Sequence, residues 1–277
     1  MMDLRKFAVA ATLVAAALLP VACGSNNDGM PNIPVPSTEK AAEIKEPTGT
    51  IRGRVLLKGD LPKPGVDKIT ADQKICGNEA SLPRIVAGAD KGIEDTFVYL
   101  EGVSSAARPA PVTRTVLIDQ KNCVYVPHAL IVPLGSKVEI TNSDAILHNV
   151  HGTQNGNNVF NYAQARQGER ETLDMTAAKL GIVTLTCEAG HPWMSAFMYV
   201  SKDPFVALTA KSGEFVIKDV PPGTYTIKMW HEGVQLNKIN KTLQTYEYED
   251  PYEASQQVTV TADNEATVNF DLTLRKK

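Results

Sequence analysis

Three residues with soft, metal-binding side chains follow one another closely in the last third of the sequence. Cys187, His191 and Met194 have the spacing Cys-x3-His-x2-Met. The residues before Cys187 alternate in polarity, so Val183, Leu185 and Cys187 are expected on one face of a strand. The thiol would then enter a β-sandwich from its end, and the following loop can bring His191 and Met194 to the same point.

A second predicted strand, over 146–150, carries another imidazole. His148 lies there between two apolar residues that share its face. Two imidazoles, one thiolate and one weak thioether are the ligands of a type 1 copper centre. We therefore predict one type 1 copper per chain, with the ligands His148, Cys187, His191 and Met194. Zinc is the alternative metal, but the thioether argues against zinc.

The N-terminus predicts export. Arg5 and Lys6 precede an apolar run over 7–19, and residues 1–22 end in small side chains, which is the layout of a signal peptide. The run of about 13 residues is shorter than the roughly 20 that span a bilayer.

Residues 19–23 resemble a bacterial lipobox, which implies lipidation of Cys23. Gly24 after the cysteine favours an outer-membrane lipoprotein on the periplasmic side of the cell envelope. A soluble exported protein that is cleaved nearby is the alternative. Residues 23–48 carry four prolines and no apolar period, so they are predicted to be a flexible tether.

The cysteine count indicates one thiol without a disulfide partner. The chain has four cysteines, and lipidation of Cys23 leaves three in an oxidising compartment. Coordination of Cys187 would account for the odd thiol, since a coordinated thiolate needs no partner. Cys76 and Cys123 remain as the predicted disulfide, which would close 46 intervening residues.

Most of the chain has the pattern of β-strands. From residue 50 onward, short alternating runs are separated by Gly, Pro, Asn and Asp, so the predicted fold class is all-β. Residues 49–277 exceed one small sandwich, and we expect two β domains. Short helical turns are expected at 162–166 and 175–180. The predicted strands are 51–57, 96–100, 114–119, 130–132, 137–142, 146–150, 181–187, 196–200, 214–218, 225–230, 257–261 and 267–274.

The ligand stretches resemble those of a known copper-protein family. The segment Thr-Asn-Ser-Asp at 141–144, His-Asn-Val at 148–150 and the residues at 187–194 resemble cupredoxins of the plastocyanin and amicyanin kind. The resemblance covers about residues 112–203 and implies a Greek-key β-sandwich, in which Asn149 ties the two ligand loops together. It also implies three trigonal ligands and an axial one, namely His148, Cys187 and His191 with Met194.

An enzymatic copper site is not expected. A binuclear copper loop would need a cysteine four residues before Cys187, where the chain has Val183. Five histidines, two of them assigned as ligands, are too few for a trinuclear cluster. The sequence also lacks phosphate-binding loops, dinucleotide glycine runs and nucleophile elbows. We therefore predict that the protein is not an enzyme.

A second resemblance concerns the C-terminal third. The pattern Gly-x-Phe…Pro-Pro-Gly-x-Tyr over 212–225 resembles carboxypeptidase regulatory-like, transthyretin-like domains. Its Pro-Gly pair sets a tight turn between two strands. The resemblance implies a second β-sandwich from 49–103 and 204–276, split by a copper domain at 104–203. Domains of this kind scaffold or bind and are rarely catalytic.

The other histidines have less specific roles. His128 follows a proline and is expected to be structural. His231 is expected to pack, and an approach to the copper domain is the alternative. His151 lies three residues after His148 and hence on the opposite face of the strand. A surface role is favoured for His151, and a substitute ligand is the alternative.

The residues beside His191 could meet a partner protein. Pro192 and Trp193 are predicted as an apolar docking patch around an exposed edge of the His191 imidazole, which would be the electron port. Packing of Trp193 in the core is the alternative.

Charge and motifs together favour electron transfer. The chain has 28 basic and 31 acidic residues, a net charge of −3, so no polybasic surface predicts nucleic-acid binding. We expect an envelope-tethered protein that cycles Cu(II)/Cu(I) with transient redox protein partners and touches the membrane only through its N-terminal lipid. The alternative is a non-redox binding or structural surface lipoprotein with a vestigial or storage copper site. Copper delivery is a third, weaker option.

Overall fold

The computed structural model describes residues 47–82, 84–88, 90–104, 111–240 and 245–276. The predicted signal peptide, the lipidation site Cys23 and all but the end of the tether over 23–48 lie outside the described residues. Within the described residues, no helix is long and apolar enough to cross a membrane.

The all-β prediction is confirmed, since the described part of the chain contains a single helix of four residues. In chain order the elements are β1 (Gly49–Lys58), β2 (Gly65–Lys68), α1 (Gln73–Cys76), β3 (Glu79–Leu82), β4 (Phe97–Glu101), β5 (Thr115–Lys121), β6 (Val124–Val126), β7 (Ala129–Pro133), β8 (Lys137–Asn142), β9 (His148–Gln154), β10 (Asn157–Gln164), β11 (Arg170–Asp174), β12 (Gly181–Thr186), β13 (Ser195–Ser201), β14 (Val206–Leu208), β15 (Glu214–Val220), β16 (Gly223–His231), β17 (Leu236–Asn240), β18 (Thr245–Tyr248), β19 (Tyr252–Val260), β20 (Glu265–Thr267) and β21 (Phe270–Thr273).

Two sheets pack face to face in what we call the central sandwich. One sheet has the strand order β10-β9-β12-β13-β7, and the other has the order β11-β8-β5-β6. The core between them takes Val150, Leu185 and Met198 from the first sheet. Ile118 and Ile140 come from the second sheet. Because side chains alternate along a strand, each of these strands presents one apolar face to the core.

A second pair of sheets forms the flanking sandwich. Its sheets have the strand orders β15-β1-β20, with β21 also paired to β1, and β14-β4-β16-β19. Ile51, Phe215 and Phe270 fill the core from the first sheet. Leu100 and Ile227 fill it from the second sheet. The domain boundaries and the transthyretin-like assignment of this part stay predictions.

Strand β10 replaces the helical turn expected at 162–166, so that prediction is wrong. The strand pairs with β9 along its length, but it is an edge strand whose only fully buried residue is Gln164. Such a strand lacks the apolar alternation that would reveal it in the sequence. Residues 175–180 form turns and bends without a helix.

A hairpin arm over residues 65–82 leaves the flanking sandwich after β1. Its strands β2 and β3 pair only with each other, and its tip contains α1. The predicted disulfide is present and joins Cys76 at the end of α1 to Cys123 in the turn between β5 and β6. The arm therefore crosses from one sandwich to the other.

An apolar cluster also joins the two sandwiches. Phe97 and Trp230 come from the flanking sandwich, and Ala129 and Phe197 come from the central one. The ring of Trp230 lies 5.9 Å from that of Phe97 and 5.1 Å from that of Phe197. Aromatic contacts at these distances add to the free energy gained by burial.

A buried ionic cluster lies beside this contact. The Glu232 carboxylate pairs with the Arg84 guanidinium and with the His128 imidazole, whose other nitrogen contacts the Ser195 carbonyl at 3.0 Å. His128 precedes β7 and Glu232 follows β16, so the cluster joins the two sandwiches. His231 is buried, and its Nδ1 lies 2.9 Å from the Glu232 carbonyl.

Pairing outweighs burial at the two titratable partners. Desolvation works to lower the pKa of His128, but the Glu232 carboxylate raises that pKa above its usual 6.5. Desolvation likewise works to raise the pKa of Glu232, but Arg84 and His128 hold it below its usual 4.5. The stabilisation from charged His128 is therefore fully present below pH 6.5 and is lost as the pH rises through its folded-state pKa.

Replacing His128 by glutamine tests the direction in which this stabilisation changes with pH. The difference in free energy of unfolding between wild type and H128Q is expected to be largest below pH 6.5 and to shrink as the pH rises. Urea unfolding at several pH values between about 5 and 9 measures this difference.

The same substitution in an E232Q background is the control. There the decline with pH should vanish, because the carboxylate that raises the pKa of His128 is gone. A difference between wild type and H128Q that grows with pH would contradict the pairing.

Candidate metal centre

Two antiparallel neighbours bring the first imidazole and the thiol together. Strand β9 begins at His148 and pairs antiparallel with β12, which ends one residue before Cys187. The start of one strand and the end of its antiparallel neighbour lie at the same end of a sheet. The turn after Cys187 then returns His191 to this end before β13 begins.

The donor atoms of these three residues converge. The two Nδ1 atoms of His148 and His191 lie 3.1 Å apart, and the Cys187 Sγ lies 4.0 and 3.7 Å from them, respectively. Each residue is at most 1% exposed. Three donors held 2.0–2.3 Å from one ion at angles near 110–120° would be roughly 3.3–3.8 Å apart. The space between these atoms therefore suits one transition-metal ion.

The outer nitrogen of each imidazole has a carboxylate partner. Nε2 of His148 lies 2.9 Å from Oδ2 of Asp144, and Nε2 of His191 lies 3.1 Å from Oδ2 of Asp72. A carboxylate accepts, so each neutral ring donates its proton outward and keeps a lone pair on Nδ1. The Cys187 thiol has one proton, so it can satisfy at most one of the two inward lone pairs.

Burial affects the protonation of the ligands in opposite directions. Desolvation lowers the pKa of His148, to which the nearby His191 also contributes, although the hydrogen bond with Asp144 opposes this shift. Burial thus favours the neutral form of the His148 imidazole, which is the form that can coordinate a metal. Desolvation raises the pKa of Cys187, and backbone N–H groups around the sulfur offset part of that rise. A cation among the donors is what would hold this sulfur as a thiolate.

Met194 lies in the same turn as His191. Its backbone N–H donates to the His191 carbonyl at 3.0 Å, which makes the turn tight. Its side chain is 1% exposed and packs in the core that also contains Cys187. The turn therefore places a buried thioether in the same core as the Cys187 sulfur.

Asn149 connects the two ligand segments. Its side-chain oxygen accepts from the backbone N–H of Glu188, the residue after Cys187. Its backbone carbonyl accepts from the buried Tyr125 hydroxyl at 2.6 Å. The segments that carry His148 and Cys187 are therefore joined without a bound ion.

Neither carboxylate is among the site residues predicted from the sequence. Asp144 accepts from the backbone N–H groups of Asn122 and Cys123, each at 2.8 Å, in addition to His148. Its spacing of four residues before His148 could have indicated it. Asp72 lies 119 residues from His191 in the sequence, and no local signal connects the two.

The expectation of an exposed His191 edge is wrong. His191 is 0% exposed, because Asp72 covers its outer nitrogen and the Trp193 ring lies 5.4 Å away. Trp193 is half-buried, and its Nε1–H donates to the Cys123 carbonyl at 2.9 Å. A docking patch at Pro192 and Trp193 stays a prediction. Such a patch would not surround an exposed imidazole, because His191 is buried.

His151 lies apart from the converging donors. Its Nδ1 lies 2.7 Å from a carboxylate oxygen of Glu188, and its Nε2 lies 3.1 Å from the side-chain oxygen of Asn158. Both ring nitrogens therefore have polar partners on the other face of β9.

Comparisons with known proteins find likeness only among solved structures. No family model and no curated protein matches the chain. The chain is similar to a purple cupredoxin from Nitrosopumilus maritimus, with 26% identity over 31% of this chain and 99% of that one (TM-score 0.27). An auracyanin from Roseiflexus castenholzii is 20% identical over 31% of this chain and 96% of that one (TM-score 0.28).

A reduced amicyanin variant is 19% identical over 38% of this chain and 98% of that one, with a TM-score of 0.28. TM-scores of this size establish no shared fold.

Replacing Asp144 by asparagine tests the support of the site. The amide has one acceptor oxygen where three donors converge, so the free energy of unfolding of the metal-free protein should fall by about 1–3 kcal/mol. Copper affinity should fall about 10- to 100-fold, as is typical when the partner of a metal-bound histidine is removed. Urea unfolding in a chelator and a competition titration measure the two effects.

Asp271→Asn, at an exposed position of β21, is the matched control. Among the described residues the Asp271 carboxylate pairs with the exposed Lys58, so the variant should unfold within about 0.5 kcal/mol of wild type. Equal stability of D144N and D271N would contradict the role given to Asp144.

Proposed function

We propose that the protein is an electron-transfer protein with one type 1 copper centre. His148, Cys187 and His191 hold the ion, and Met194 is the weak fourth ligand. Copper supplies a one-electron Cu(II)/Cu(I) couple in this ligand set. The observation that carries the proposal is the convergence of two imidazole Nδ1 atoms and one thiol sulfur in a buried space.

The donor set supports copper over zinc. A thiolate with two imidazoles and a buried thioether is the set that selects copper, whereas zinc sites use cysteine, histidine and carboxylate ligands. Met194 belongs to the same tight turn as His191 and to the same core as Cys187. The nearby carboxylates bind the outer nitrogens of the two imidazoles, so they orient these rings and are not themselves proposed as metal ligands.

The surrounding residues hold the ligands in place independently of the metal's charge. Asp144 and Asp72 orient the two imidazoles, and Asn149 joins the two ligand segments. Because these bonds lie within the protein, the ligand positions should change little between the two oxidation states. Burial of the donors also keeps water out. Both features favour fast, reversible electron exchange with a transient protein partner.

Replacing Cys187 by serine tests the centre. The copper-loaded wild type should absorb intensely near about 600 nm, a thiolate-to-Cu(II) band, and C187S should lack it. Val183→Thr, at a buried site on β12, is the control, because it adds a hydroxyl to the core but leaves the ligands intact. It should keep the band. A copper-loaded C187S protein that keeps this band would contradict the assignment of Cys187 as a copper ligand.

Voltammetry separates electron transfer from the binding or storage alternative. The proposed function requires a fast, reversible one-electron wave from the copper-loaded full chain. A protein that only stores copper or binds a partner has no such requirement. Copper bound tightly without a reversible wave would favour this alternative.

The cellular location is proposed from the N-terminal pattern. The signal-like residues 1–22 and the lipobox-like residues 19–23 support a lipoprotein of the cell envelope, anchored through Cys23. The protein then acts on the periplasmic side, with the outer membrane as the favoured anchor.

Cys23→Ala tests the anchor. In a bacterial host the wild type should sediment with membranes, and C23A should not, because it lacks the thiol that carries the lipid. C187S, which alters a cysteine far from the N-terminus, should sediment as the wild type does. Equal sedimentation of wild type and C23A would contradict lipidation. If neither sedimented with membranes, a soluble exported protein would be left.

A further inference from the structure

The hairpin arm over residues 65–82 ends beside the metal centre. We propose that this arm is a cover for His191 and that Asp72 at its tip is a positioning residue. The carboxylate of Asp72 holds the His191 ring so that Nδ1 faces the other donors, and it blocks the outer edge of the ring. The proposal rests on the proposed function for the identity of the metal, but not for the contact itself.

The tip of the arm has hydrogen bonds of its own, apart from its contacts with the central sandwich. Its base is closed by the backbone N–H of Ile69, which donates to the Asn78 carbonyl at 3.0 Å. The Gln73 amide donates to the Ile69 carbonyl at 2.7 Å. The Ile69 side chain is buried, with 2% exposed. These local contacts give the tip a defined geometry at Asp72.

The side chain of Asp72 does not cap α1, although Asp72 lies at the N-cap position of this helix. Asp72 is the residue before α1, where an aspartate usually accepts from a backbone N–H of the first turn. Here the side chain makes no such bond, and the backbone has φ 54°, in the left-handed region. The carboxylate lies instead 3.1 Å from Nε2 of His191. A local stabilising contact is given up for a contact with the ligand.

The arm is anchored on both sides of the imidazole. Cys76 is bonded to Cys123, whose carbonyl accepts from Trp193, and the Trp193 ring lies against His191. Asp72 anchors the other side. The strand β2 is almost wholly exposed, so this strand contributes little apolar packing to hold the arm. Its position therefore depends on these anchors.

The cover changes how a redox partner can reach the centre. The outer edge of His191 is occupied, so a partner at this end meets the arm before the imidazole. The Asp72 side chain is 40% exposed and lies between solvent and the buried ring. Small external ligands are likewise kept from the donors.

The test uses the metal-free full chain and the variants D72A, D72N and E79Q. Diethyl pyrocarbonate acylates accessible imidazole nitrogens, and mass spectrometry maps the rate at each histidine. His191 should react slowly in wild type and about tenfold faster or more in D72A, because loss of a charge-assisted hydrogen bond shifts local opening by that order. The rate in E79Q, altered at an exposed site on the same arm, should match wild type.

D72N separates positioning from general loosening. Its amide oxygen can still accept from Nε2, so ¹⁵N NMR should show His191 protonated at Nε2 in wild type and D72N, with tautomers mixed in D72A. External imidazole should change the visible spectrum of copper-loaded D72A and leave that of wild type unchanged. D72N also keeps the side-chain volume, so it serves as the test if D72A does not fold.

Equal His191 rates and equal tautomers in wild type and D72A would overturn the cover. If D72A does not fold, a wild-type rate in D72N with a changed tautomer would overturn the positioning role. A wild type without a visible copper band would overturn the proposed function, and the acylation rates would still decide the role of Asp72. The two failures are therefore distinguishable.

Discussion

The candidate metal centre depends on which nitrogen of each of two imidazoles carries the proton. Each ring directs its outer nitrogen to a carboxylate, so the two inner nitrogens face each other and the Cys187 sulfur with their lone pairs. Lone pairs that converge in a buried space are unfavourable unless a positive charge lies among them. Cation binding is therefore the state that satisfies the polar atoms of this end of the central sandwich.

One turn supports both carboxylates. Cys123, between β5 and β6, donates its backbone N–H to Asp144 and is disulfide-bonded to the arm that carries Asp72. Its carbonyl accepts from Trp193, which lies against the ring of His191. A single residue thus connects the two outer partners of the imidazoles. The disulfide links the two sandwiches, and it also helps to set the geometry of the metal site.

The residues whose donor atoms converge are predictable from sequence because their signals are local. His148 and Cys187 each lie at the end of a strand whose apolar face can be predicted from the alternation of residues. His191 follows Cys187 by four residues. Asp72 is not predictable, since it is brought in by an arm whose two strands have four residues each and are too short for a periodic pattern. An exposed edge of the His191 imidazole was wrongly expected for the same reason. The contact that covers it comes from Asp72, which is distant in the sequence. Likewise the edge strand β10 has too few buried residues to show an alternation.

X-ray absorption at the copper edge of the loaded full chain identifies the atoms that are bonded to the ion. We expect one short sulfur and two nitrogens at roughly 2.0–2.3 Å, with at most a longer, weaker second sulfur. A copper shell of nitrogen and oxygen alone would contradict this expectation, because the ion would then lie away from Cys187.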